Sequence, residues 1–195
     1  MSDVTQAVNQ FARRHAGFLV FAVVVMTIPA YLGDAYYLSV LAFMATRFMM
    51  ALGLSMLLGQ AGQVSLGQAG FVGIGAYGAA ILTTRLGFDP WLSMGLAALL
   101  AAFIAGLVGM PTLKLKGHYL AMATLGVNEI IYILLVQLKG LTNGTDGITG
   151  IPSLSIGALD FSGPKAYHLL VWGVALLMLR FALNLSRSRV GRSLR

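Results

Sequence analysis

Few residues in this sequence are placed to do chemistry, and most of those are uncharged. Gln60, Gln63, Ser65 and Gln68 fall within Gly59-Gln60-Ala61-Gly62-Gln63-Val64-Ser65-Leu66-Gly67-Gln68-Ala69-Gly70, a polar interruption between two apolar stretches. A Gly/Gln-rich segment of this kind permits broken or re-entrant backbone where it is buried in protein or lines a cavity. Transporters use that device beside a substrate path. Close helix packing through small residues is the plainer use of Gly70, Gly73, Gly75 and Gly78, but it accounts less well for the glutamines. Glu129 lies in the middle of another apolar stretch. A carboxylate at that depth is costly and faces a bundle interior or a water-filled cavity. It is expected to be a path contact, a proton site or an ion-pair anchor between helices. Arg47, also inside an apolar stretch, is the partner that would best offset its burial.

Other chemistries are poorly supported. The chain has no cysteine, which excludes thiol nucleophiles, disulfides and cysteine-held metals. His15, His118 and His168 form no metal-spaced cluster, and neither a Ser/His/Asp constellation nor a P-loop is present. Gly73-Ile74-Gly75-Ala76-Tyr77-Gly78 formally matches G-x-G-x-x-G, yet no acidic residue lies between Asp89 and Glu129. A dinucleotide site needs such an acid and a strand before the glycines, so the match is rejected. No enzyme active site, cofactor or metal is expected.

The elements that must position these residues are membrane spans. Of the 195 residues 58% are hydrophobic and 10% charged, with a mean hydropathy of +0.84. Soluble domains carry about 25% charged residues, so this surface must face lipid. Stretches long enough to cross as helices occur near 17–33, 36–58, 69–86, 91–111, 119–138 and 166–185. The expected fold class is an all-α integral membrane protein, a polytopic transmembrane helix bundle with about six spans and a broken or re-entrant Gly/Gln-rich segment. Strand-like alternation, the barrel signature, is absent.

Residues 1–16 read as a cytoplasmic N-terminal segment, either a short amphipathic surface helix or a tail, ahead of a transmembrane domain over 17–186. Residues 187–195 form a basic cytoplasmic tail. With the N-terminus inside, Arg13, Arg14, Lys114, Lys116, Arg187, Arg189, Arg192 and Arg195 are cytoplasmic, against Arg85, Lys139 and Lys165 outside. That asymmetry follows the positive-inside rule and places both termini in the cytoplasm. The net charge of +7 is therefore read as topology rather than nucleic-acid binding. The long connection over 139–165, rich in turn formers, would lie outside, either as a plain connector or where a solute or binding protein arrives.

At these residues the sequence resembles the permease subunits of branched-chain amino acid ABC importers. The resemblance is carried by Ala51-Leu52-Gly53-Leu54-Ser55-Met56-Leu57-Leu58-Gly59-Gln60-Ala61-Gly62-Gln63-Val64-Ser65-Leu66-Gly67 with Gly73-Ile74-Gly75-Ala76-Tyr77. Leu113-Lys114-Leu115-Lys116-Gly117-His118-Tyr119-Leu120-Ala121-Met122-Ala123-Thr124-Leu125-Gly126 with Glu129 adds a second block. Thr142-Asn143-Gly144-Thr145-Asp146-Gly147-Ile148 with Gly150-Ile151-Pro152 adds a third. The match looks closer to the longer of the two paired permeases, although Ser55 stands where asparagine is expected.

The resemblance implies a bacterial inner-membrane subunit with three kinds of partner. They are a second homologous permease, cytoplasmic ATP-binding subunits, and an extracytoplasmic binding protein that delivers branched-chain amino acids. Family members are longer, and the chain stops where the ATPase-coupling loop would begin. A fragment, or a form without that loop, is the expectation. The competing readings are a secondary transporter coupled through Glu129, a non-transporting scaffold, and an ABC permease for urea, short amides or small organic acids.

Overall fold

In lipid the backbone must satisfy its own polar groups, so an apolar run of about 20 residues becomes helix. The computed structural model describes residues 2–31, 33–112, 114–115, 117–156 and 159–188. Helices α1 (Ser2–Tyr31), α2 (Ala35–Ala61), α3 (Gln68–Thr84), α4 (Pro90–Thr112) and α5 (His118–Gln137) are followed by a short α6 (Lys139–Thr142). A 3-10 turn at Gly144–Asp146 and the antiparallel two-residue strands β1 (Ser155–Ile156) and β2 (Leu159–Asp160) lead into α7 (Pro164–Arg187). The fold is that of a polytopic helical membrane protein. Among the described residues four segments are long and apolar enough to cross a membrane: Ala35–Gln60, Pro90–Thr112, His118–Gln137 and Pro164–Ser186. At about 1.5 Å per residue, the 17 residues of α3 fall short of a hydrocarbon core of about 30 Å.

The N-terminal segment differs from a separate surface helix, because α1 runs unbroken from Ser2 to Tyr31. No proline interrupts it before Pro29, and the lone Gly17 costs only about 1 kcal/mol relative to Ala. Of the basic tail expected at 187–195, residues 189–195 lie outside the described residues.

The chain divides into two compact units, Met1–Met49 with Phe161–Phe181, and Met50–Asp160 with Ala182–Arg195. In the first, Val25, Ala45, Val171, Trp172 and Ala175 form the core, and Phe48 and Met49 pack against it. Phe21 meets the Trp172 ring edge-on, with centroids 5.9 Å apart. A local defect explains why a histidine is buried here. Pro29 has no N–H to give the Val25 carbonyl four residues back. The imidazole Nε2 of fully buried His168 lies 3.3 Å from that carbonyl. With a carbonyl as partner, Nε2 is the donor, and Nδ1 is buried with no partner among the described residues. Trp172 Nε1 donates to the Leu41 carbonyl at 3.1 Å.

In the second unit α3 packs against α4 and α5 through glycines. A Cβ on Gly78 would sit 3.3 Å from that of Ala97 on α4, and one on Gly70 would sit 3.0 Å from Ile131 on α5. Small residues here let the helix axes approach closely, which is the plainer role foreseen for Gly70 and Gly78. The side chains α4 turns away from the unit, such as Leu99, Phe103 and Met110, are large, apolar and exposed, as a lipid-facing surface requires.

The connection between α5 and α7 is braced. Arg85 donates to the Gly140 carbonyl and, at 3.4 Å, to Asn143 Oδ1. The buried Thr142 hydroxyl donates to the Leu135 carbonyl at 2.6 Å and accepts from the Gly144 N–H. Trp91 Nε1 donates to the Ser155 carbonyl at 2.9 Å.

Candidate functional site

The Gly/Gln segment is a break between α2 and α3. Gly62, at φ +60°, turns the chain out of α2; a side chain there would be strained, and glycine ends helices in this way. The Gln63 N–H returns to the Leu57 carbonyl at 3.4 Å. Residues 62–67 then run without regular structure until α3 begins.

Two contacts hold the extended piece. Thr124 of α5 accepts the Leu66 N–H on its hydroxyl at 3.0 Å. Gly67 lies so close to the Thr124 carbonyl that a Cβ would sit 3.0 Å from the oxygen. At the start of α3, Gln68 Nε2 donates to the Met50 carbonyl of α2 at 2.6 Å. Gly53 makes room for that amide, since a Cβ there would be 2.9 Å from Nε2.

These contacts leave a cavity of about 320 Å³. Gln63, Ser65 and Gln68 line it together with Leu57, Phe71, Val108, Leu120, Thr124 and Val127. Among the described residues no charged side chain borders it. Thr124 is committed to the Leu66 N–H and the Ala121 carbonyl, and Thr112, also on the wall, donates to the Val108 carbonyl. Among the described residues the Gln63 amide and the Ser65 hydroxyl have no partner, and Gln68 keeps its oxygen free. The polar atoms that remain are thus neutral donors and acceptors set in an apolar wall.

The proposed site residues separate. Gln63, Ser65 and Gln68 share the cavity, whereas Gln60, half-buried near the end of α2, does not line it. Glu129 borders a second cleft of about 440 Å³ with Gly70, Gly73, Tyr77, Asn128 and Tyr132. There the carboxylate side chain is exposed, and Asn128 Oδ1 is buried with no partner among the described residues. Arg47 belongs to the first unit, where its guanidinium lies over the Phe43 ring, 5.1 Å from the centroid. Among the described residues no three His, Asp or Glu gather to hold a metal ion.

Sequence reasoning missed Thr124 as the clamp on the segment and Gly53 as the space for Gln68. A hydroxyl inside the apolar run Ala121-Met122-Ala123-Thr124-Leu125 was the available signal for the first.

A family model described as "Branched-chain amino acid transport system / permease component" matches residues 36–195. The chain belongs to this permease family. It is similar to the high-affinity branched-chain amino acid transport system permease protein LivM of Escherichia coli (strain K12), with 37% identity over 113 residues. LivM of Salmonella typhimurium (strain LT2) is 37% identical over the same length. Each match covers 58% of this chain and 27% of the relative, so the aligned part spans about a quarter of the relatives' length. No solved structure matches. The matched region contains the Gly/Gln cavity and the Glu129 cleft, so both belong to the permease module.

Proposed function

We propose that this protein is the membrane-embedded permease subunit of an ATP-driven, binding-protein-dependent importer of branched-chain amino acids in a bacterial inner membrane. It works beside a second, homologous permease. Cytoplasmic ATP-binding subunits hydrolyse ATP, an extracytoplasmic binding protein delivers the solute, and both termini are cytoplasmic. The family match over residues 36–195 carries this reading. The neutral cavity at the Gly/Gln break supports it, as a place where an uncharged or zwitterionic solute is held between helices. ATP binding in the partners shifts the subunit between two packings, and solute biases that equilibrium only by its difference in affinity for them.

The test is purification from native membranes in mild detergent, followed by reconstitution and uptake of radiolabelled leucine. Co-purification of a second permease and ATPase subunits, with uptake that requires ATP, is the expected result. Uptake driven by an ion gradient without ATPase subunits would replace the importer with a secondary transporter.

For Glu129 we carry forward the pairing with Arg47 on sequence grounds. Within its own unit, among the described residues, no basic side chain pairs with the carboxylate. Glu129→Gln and Arg47→Gln are each expected to lower uptake, with partial rescue in the double variant. Additive damage removes the pair and leaves Glu129 to its own cleft.

A further inference from the structure

The cavity at the Gly/Gln break is a more demanding filter than a path alone requires. Its free polar atoms, on Gln63, Ser65 and Gln68, are neutral, and among the described residues no charged side chain borders it. Glutamine amides supply both donors and acceptors, so together they can bond an ammonium and a carboxylate at once. The rest of the wall, including Leu57, Phe71 and Val108, suits an aliphatic body. A volume of about 320 Å³ stands at the small end of ligand pockets, which run from about 300 to 1,000 Å³. A third charge on the solute would enter a largely apolar space with no ion among the described residues to meet it, and an unpaired buried charge is strongly disfavoured.

We propose that this cavity is a solute site of the permease itself, selective for small aliphatic amino acids of zero net charge. Discrimination against charged analogues is thereby built into the membrane subunit and does not rest on the delivering protein alone. The proposal deepens the importer reading and rests on it.

The test uses the assembled importer, purified without the binding protein and held in lipid nanodiscs. Radiolabelled leucine is bound at equilibrium and competed with valine, lysine, glutamate and leucinamide, which keeps leucine's side chain but carries a net positive charge. Valine is expected to compete, and leucinamide, lysine and glutamate at least tenfold more weakly. Val108→Phe, which fills the cavity, should weaken leucine binding tenfold or more, and Gln63→Leu and Ser65→Ala severalfold.

Assembly of each variant is checked by co-purification of its partners. Ser65→Ala is small enough to keep the proposal testable should Val108→Phe fail to assemble. Leucinamide competing as well as valine would overturn the charge filter. Leucine binding unchanged in all assembled variants, while the wild type still imports leucine with ATP, would overturn the site and leave the importer standing. Absence of ATP-dependent import by the wild type would overturn the importer reading, and the proposal with it.

Discussion

The aromatic core of the first unit and the Gly/Gln cavity of the second treat polar atoms in opposite ways. In the core, polar groups are used to hold helices. Pro29 frees the Val25 carbonyl, His168 meets it, and Trp172 reaches the Leu41 carbonyl while its ring fills the space between Phe21 and Phe48. At the cavity, the Thr124 hydroxyl and the Gln68 amide hold the segment, and among the described residues the side chains of Gln63 and Ser65 are left free. Polar groups in apolar surroundings are costly unless bonded. Free ones lining a cavity therefore mark where something else is to be bonded, and committed ones mark scaffold.

The largest way to strain this contrast is Trp172→Ala. Emptying the aromatic core should cost about 3–5 kcal/mol, read as a large drop in the thermal unfolding midpoint in detergent, with uptake falling only as protein is lost. A specific loss of leucine affinity at full stability would mean that the core is not merely scaffold. Gly67→Leu comes next. Its side chain must push the segment from the Thr124 carbonyl, an overpacking cost of about 1–3 kcal/mol, and uptake should fall out of proportion to stability because the cavity wall moves.

A smaller effect tests the proline defect. His168→Ala should destabilise the wild type more than it destabilises the Pro29→Ala background, where residue 29 recovers its N–H. The coupling energy expected in a double-mutant cycle is about 0.6–1.7 kcal/mol, the range for polar contacts between membrane helices. Equal costs in both backgrounds would detach His168 from the defect. Smallest in stability is Gln63→Leu, which should change folding by less than about 0.5 kcal/mol because its amide holds nothing in the fold. Uptake should nonetheless fall severalfold, and a variant that is both stable and fully active would erase the contrast between the two regions.

Much of the fold was legible in the sequence. Among the described residues six long helices lie over the six apolar stretches, and four of them are long and apolar enough to cross a membrane, because lipid leaves a long apolar segment little choice but helix. The Gly/Gln break was legible too, since glycine and uncharged polar residues stand out in such a run. Which of its residues act together was not. Gln60, Gln63, Ser65 and Gln68 looked equivalent by type, yet only the last three line the cavity, and Glu129 stands in a different cleft.

By itself, then, the sequence determined the membrane class, the run of long helices and the place of the break, because these follow from local apolarity and backbone hydrogen bonding. Tertiary structure alone decided that Thr124 clamps the segment, that Gly53 yields space to Gln68, and that His168 meets the carbonyl freed by Pro29. Those choices depend on how each helix is rotated about its axis and which carbonyls face a neighbour. Close approaches at the glycines, where an added Cβ would stand about 3 Å from a neighbour, set that rotation, and hydropathy carries no record of it.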